Sequence, residues 1–226
     1  FFFSSEYKTL KKENNIHLIY TEYEGFSLGG NFLELLTLLG IDVEFLIPIT
    51  KATRYTKIYI PADSFFLEKE QRYYTLEFKK LISNLCYPQK KKKFNKVYFT
   101  RTSFDGFDYG EKDIETFFRK IGYKIIAPEK YSFKEQIEIL AHCKTFAATE
   151  GSIAHNSLFL QQGTEVIIIR KANYINSYQF PINELKDLKV TYIDAHLSIF
   201  NHHTKPWVGP FFMYVNEHLQ RFSESK

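Results

Sequence analysis

Methionine and tryptophan each occur once in the 226 residues, at Met213 and Trp207, and cysteine twice, at Cys86 and Cys143. Two cysteines this far apart fit neither a C-x-x-C metal site nor the dense disulfide framework of a small secreted domain. Both are expected to be buried small hydrophobes in a reducing compartment. Long apolar runs are missing too. The longest purely aliphatic stretch, Val166 to Ile169, falls far short of the ~20 residues that cross a bilayer, and the N-terminus lacks the basic, apolar, small-residue order of a signal peptide. The expected location is cytoplasmic. Neither sign of charge dominates: 30 Lys and Arg against 26 Asp and Glu give a formal +4, which suits an anionic small molecule and is too modest to imply nucleic acid. There is no G-x-x-x-x-G-K-[ST] or H-E-x-x-H, which argues against a nucleotide hydrolase and a zinc protease. Gly29-Gly30 lacks the spacing of a dinucleotide fingerprint and is expected only to start a helix.

What is present is aromatic and apolar. With 44% hydrophobic residues, 23 Phe and 16 Tyr, the chain can bury one large core or two small ones and has rings to spare for stacking on a sugar. The run Lys90 to Lys93, extended by Lys96, reads as a solvated linker, with a phosphate or membrane-surface contact as the alternative. His202-His203 beside Pro206-Trp207 has no third ligand at metal spacing and reads as a surface loop. Since the single methionine is Met213, Phe1 is not an initiator. Phe1-Phe2-Phe3 reads as a strand entered partway, and the expectation is an incomplete N-terminal portion.

The one compositional break, Cys86 to Gln89 followed by lysines, is taken as a domain boundary, giving domains 1–89 and 90–226. Before it come strand-like segments at Ile16 to Tyr20, Val43 to Ile47 and Lys57 to Ile60. The helices expected there run from Gly29-Gly30-Asn31 to Gly40 and from Glu68 to Leu85. After it, strands at Val97 to Thr100, Tyr123 to Ala127, Lys144 to Thr149, Glu165 to Ile169 and Val190 to Ile193 alternate with helices. Ile114, Phe117, Phe118 and Ile121 share one helical face, Ser132-x-x-Glu135 is a capping box, and Ser152 to Leu160 reads as a further helix. Pro210 is expected to open a C-terminal helix. This alternation predicts an α/β fold with a doubly wound parallel sheet.

In such a sheet ligands sit beyond the carboxyl ends of the strands. At one such end Thr149-Glu150-Gly151-Ser152-Ile153-Ala154-His155-Asn156 leads from strand to helix. Gly151 lets a ligand approach the backbone, the helix-start amides favour a diphosphate, Ser152 can cap or donate, and His155 and Asn156 lie in the first turn. The plain alternative is a capped helix with a core histidine. At another end Arg101 follows Thr100, where its guanidinium can clamp a diphosphate or remain an ordinary surface arginine. Asp105, Asp108, Glu111 and Glu150 are the nearby acids able to act as a base toward a sugar hydroxyl. Glu111 can equally complement a helix start.

The order of these parts, Lys96 to Arg170, resembles glycosyltransferase family 61, the group that includes bacterial capsular polysaccharide biosynthesis proteins. The resemblance is carried by a strand ending in Arg101, an acidic helix start at Glu111, Gly122 to Pro128, Ser132 to Gln136, and Glu150 to Phe159 with Gly163 before an aliphatic strand. The chain departs from the family's usual histidine-glycine-alanine-glycine, with Glu150 where that histidine stands and His155 later. The resemblance implies a GT-B-like fold of two Rossmann-like domains, the N-terminal one incomplete and facing the acceptor, the C-terminal one binding the donor. It further implies metal-independent, inverting transfer from a nucleotide-sugar to a glycan or lipid-linked acceptor in cell-surface polysaccharide synthesis. No cofactor or nucleic-acid partner is expected, and peripheral contact with the inner membrane face is compatible with the lysines. On this reading Arg101, Glu111, Gly151, Ser152, Ala154, His155 and Asn156 bind the donor. Glu150 or Asp105 is the base, and His155 assists the leaving group. The alternative from another class is a catalytically silent nucleotide- or partner-binding module of polysaccharide assembly.

Overall fold

The computed structural model describes residues 5–12, 17–22, 28–41, 43–60, 62–67, 72–83, 94–103, 108–197 and 209–224. Phe1 to Phe3, Cys86 to Lys93, Asp105, His202, His203, Pro206 and Trp207 lie outside the described residues. The chain divides into two compact units, Phe1–Cys86 and Tyr87–Lys226. Among the described residues no helix is long and apolar enough to cross a membrane.

The first unit contains α1 (Ser5–Lys12), β1 (Leu18–Tyr20), α2 (Gly30–Leu38), β2 (Leu46–Pro48), β3 (Phe65–Leu67), β4 (Arg72–Tyr74) and α3 (Leu76–Ser83). β1 and β2 pair in parallel, Leu18 opposite Leu46, with α2 as the crossover. Three expectations fail here. Of the strand expected at Val43 to Ile47, Val43–Phe45 is a 3-10 turn and only the chain from Leu46 extends, as β2. Lys57 to Ile60 forms no strand, and Ile60 is 88% exposed. Alternating apolar residues become a strand only where a neighbour supplies the ladder. The helix expected from Glu68 begins instead at Leu76, because Phe65 pairs with Tyr74 in an antiparallel hairpin suited to aromatic residues. Thr75 then caps α3 by accepting from the Phe78 amide at 3.2 Å.

The second unit is a five-stranded, wholly parallel sheet of β5 (Lys96–Phe99), β7 (Lys124–Ile126), β8 (Thr145–Thr149), β9 (Glu165–Arg170) and β10 (Lys189–Asp194). The strands lie in the order β10-β9-β8-β5-β7. Two-residue strand β6 (Asp108–Tyr109) stands apart and pairs in parallel with β11 (Phe211–Phe212). The helices are α4 (Glu111–Lys120), α5 (Phe133–Ala141), α6 (Gln179–Leu185) and α7 (Glu217–Glu224). α4 exists because its apolar residues fall on one stripe: Ile114 and Phe118 are fully buried against the sheet. Phe118 stacks on Tyr98 at 4.7 Å and meets Tyr123 edge-on at 4.9 Å, at the centre of a cluster that includes Ala147, Ile167, Ile169 and Leu219. The opposite face holds Phe99 against Phe146, while Phe133 of α5 meets Phe159 edge-on. Strands covered on both faces account for the unbroken apolar run Val166 to Ile169. Phe118→Ala is expected to cost about 3–5 kcal/mol of stability, measurable as a lowered denaturant midpoint with unchanged slope.

Besides the unexpected pair β6 and β11, three elements differ from the sequence expectation. Ala154–Phe159 is a 3-10 helix with no side-chain cap, rather than an α-helix opened by Ser152. Here polar side chains compete with the α pattern: the Asn156 amide donates to the Ile153 carbonyl at 3.0 Å, and Gln179 holds the buried Ser157 hydroxyl at 2.9 Å. α6 carries Pro181 in its first turns, which hides it from periodicity. The C-terminal helix starts at Glu217, not Pro210, because Phe211-Phe212 extends as β11 and Asn216 supplies the cap, accepting from the Leu219 amide at 3.2 Å.

Candidate functional site

The strand order reverses between β5 and β8: the chain leaves β5 outward to β7, then returns to the far side for β8, β9 and β10. Crossovers diverge there and open a crevice beyond the carboxyl ends, the place where open α/β sheets bind ligands. β5 delivers Thr100 and Arg101 to that crevice, β8 delivers Glu150, Gly151 and Ser152, and β9 delivers Lys171. Arg101, Glu150, Gly151, Ser152, Lys171 and Asn176 all line one cavity of about 270 Å³. Gly151 has φ +123°, and a Cβ built on it would lie 3.9 Å from the Lys171 ammonium. The glycine thus keeps the backbone bare beneath a cation.

The two cations are tied together. Arg101 Nε lies 2.9 Å from Asp108 Oδ2, and Lys171 Nζ donates to Asp108 Oδ1 and Oδ2 at 3.2 and 3.3 Å. Lys171 also sits 4.3 Å over the Phe211 ring. Burial lowers its pKa, and Asp108 works against that shift.

Glu150 is 7% exposed, and its Oε1 accepts from the Asn176 amide at 2.7 Å. Burial raises its pKa, opposed by the Asn176 hydrogen bond and by Arg170 and Lys171. A buried carboxylate whose pKa is raised is a stronger base than an ordinary glutamate, which suits general-base work.

Glu111 stands behind Arg101 rather than in this cavity. It is buried at the start of α4, and its Oε1 accepts from the Tyr98 hydroxyl at 2.7 Å and the Arg101 amide at 3.2 Å. Burial raises its pKa. One turn on, Glu115 is also buried. Burial pushes its pKa up, but hydrogen bonds from Thr102, Lys112, Arg119 and Thr100 prevail and hold it at about 2. These carboxylates clamp the Thr100 to Thr102 turn and so fix where Arg101 leaves the sheet.

Of the residues expected at the site, the fold brings Arg101, Glu150, Gly151 and Ser152 together. Ala154, His155 and Asn156 do not line the cavity. Ala154 is buried, the Asn156 amide turns back on Ile153, and the half-buried His155 ring faces Tyr178 at 6.3 Å, its pKa lowered by burial. Asp105 lies outside the described residues. Lys171, Ala172, Tyr174, Asn176 and Phe211 also line the cavity and are not among the residues the sequence points to. The strand-end rule that picks Arg101 would also have picked Lys171, which follows the apolar β9. Tyr174 and Asn176 sit in an irregular loop with no such signal. Among the described residues no group of three His, Cys, Asp or Glu side chains is placed to hold a metal ion.

The family model described as Glycosyltransferase 61 matches residues 15–167, more than half of the chain, from before β1 into β9. No curated protein matches the chain.

Proposed function

Because the chain belongs to glycosyltransferase family 61 and is thereby a glycosyltransferase, we propose that the switch-point cavity binds the diphosphate of a nucleotide-sugar donor. The observation that carries this reading is the convergence of Arg101, Lys171 and the bare backbone at Gly151 on one cavity at the β5/β8 reversal. Two cations lining one cavity, one of them over a glycine, offer a diphosphate its charge-assisted contacts, and a guanidinium adds two-pronged geometry.

The transfer proposed is a direct displacement. The acceptor oxygen forms a bond to the anomeric carbon as the bond from that carbon to the diphosphate oxygen breaks, inverting the centre. The acceptor's hydroxyl proton passes to the Glu150 carboxylate, and the negative charge left on the diphosphate is met by Arg101 and Lys171. No step in this scheme requires a metal ion. The acceptor is a glycan or a lipid-linked sugar of a cell-surface polysaccharide such as a capsule, and the two units act as the acceptor-side and donor-side halves of a GT-B arrangement. Both statements rest on the family.

A panel of nucleoside diphosphates tests the donor reading. One of them, uridine or guanosine diphosphate first, is expected to raise the melting temperature; saturation at about 100 times Kd corresponds to about 2.7 kcal/mol. A flat response to the whole panel contradicts it.

A further inference from the structure

Asp108 does not line the cavity that holds Arg101 and Lys171. It lines a neighbouring one, with Arg101 as the wall between them. From there it reaches both cations at once, Arg101 Nε at 2.9 Å and Lys171 Nζ at 3.2 Å. A carboxylate lying behind two like charges does not occupy the ligand's space. It cancels their repulsion and sets their spacing.

The element that carries Asp108 is built for this placement. β6 pairs with β11 so that Asp108 stands opposite Phe211 and Tyr109 opposite Phe212, with the Met213 amide donating to the Tyr109 carbonyl at 2.9 Å. That register brings the carboxylate and the Phe211 ring to the same ammonium. The Tyr109 and Phe212 rings stack at 4.8 Å and stiffen the pair. Gly110, at φ +87°, presses so close to the Met213 carbonyl that any Cβ would fall on it, so the ladder continues only with glycine there.

We propose that Asp108 is a positioning residue that aims Arg101 and Lys171 at the donor diphosphate, and that β11 couples the C-terminal segment to donor binding through the Phe211 ring. The inference rests on the donor-site reading above. Lys171 is faced by Asp108 from β6, Arg101 beyond β5, Glu111 from α4 and Glu150 beyond β8. Removing the Asp108 charge leaves burial and Arg101 to discharge Lys171 against the two glutamates, so the alkaline limit of nucleotide binding moves to lower pH.

The test is titration of the whole protein with the nucleoside diphosphate that stabilises it, as a function of pH. Asp108→Asn is expected to weaken binding by about tenfold to a hundredfold, to raise the donor KM and to pull the alkaline limb down in pH. Phe211→Leu, which keeps the ladder and removes the ring face, is expected to weaken binding several-fold. It also serves if Asp108→Asn does not fold. Wild-type binding that neither substitution weakens overturns the inference and leaves the donor site standing. Tighter binding in Asp108→Asn makes the carboxylate a competitor and likewise overturns it. Absence of binding by the wild type overturns the donor site and this inference together.

Discussion

Replacing Arg101 by alanine is expected to lower kcat/KM by about 10²–10³-fold, the loss typical of one preorganised donor to a developing negative charge. Arg101 leaves the sheet with its amide donating to Glu111 and its guanidinium ion-paired with Asp108. The guanidinium therefore costs little to organise at the moment of reaction. The donor diphosphate is already anionic and gains charge as the sugar departs, so the loss appears in kcat as well as in KM. Lys171 remains and sets the residual activity. Arg101→Lys restores charge without the planar fork and should recover only part of the loss. Steady-state kinetics with the donor varied checks this, and a change confined to stability, with normal kinetics in the folded fraction, contradicts it.

Glu150→Gln is expected to lower kcat by about 10²–10⁴-fold, the contribution of a placed general base, while nucleoside diphosphate binding survives. Glutamine keeps an oxygen for the Asn176 amide, so the cavity's shape is retained. The pH dependence has a definite sign. Burial raises the Glu150 pKa, and the base works only when deprotonated. The acid limb of kcat/KM therefore lies above the range of an ordinary glutamate, near 4.3, and disappears in the Gln variant. For stability the linkage runs the other way. A carboxyl whose folded pKa is raised stabilises the fold most below its unfolded pKa, and that contribution is lost as pH rises through the folded value. At neutral pH Glu150→Gln should thus melt no lower than the wild type, which separates a catalytic defect from a folding one. An unaltered pH profile in the variant would assign the base elsewhere.

The parallel α/β sheet was legible because burial on both faces writes itself into composition. Val166 to Ile169 has no polar residue to spare, and β9 lies inside the sheet between β8 and β10. The α5 start was equally plain: Ser132 and Glu135 form the expected reciprocal cap, the Ser132 amide donating at 2.8 Å and the Glu135 amide at 3.3 Å. Arg101 and Gly151 could be read as neighbours-to-be, since both follow apolar strands and ligands gather at such ends. The features the sequence does not mark depend on contacts distant along the chain. Nothing local marks Asp108-Tyr109 as a strand, because its partner, Phe211-Phe212, lies a hundred residues on. Lys171 gains its meaning from Asp108 and Phe211 rather than from its own surroundings in the chain. His155 is near Gly151 in sequence but not on the cavity wall. The 3-10 geometry of Ala154–Phe159 and the packing beside Tyr178 carry it off the cavity wall.

Diffraction from crystals soaked with the stabilising nucleoside diphosphate locates the ligand itself. The diphosphate is predicted to lie above Gly151 with oxygens within hydrogen-bond distance of both Arg101 and Lys171. Well-ordered ligand density away from the β5 and β8 strand ends, with that cavity unchanged, would contradict the account.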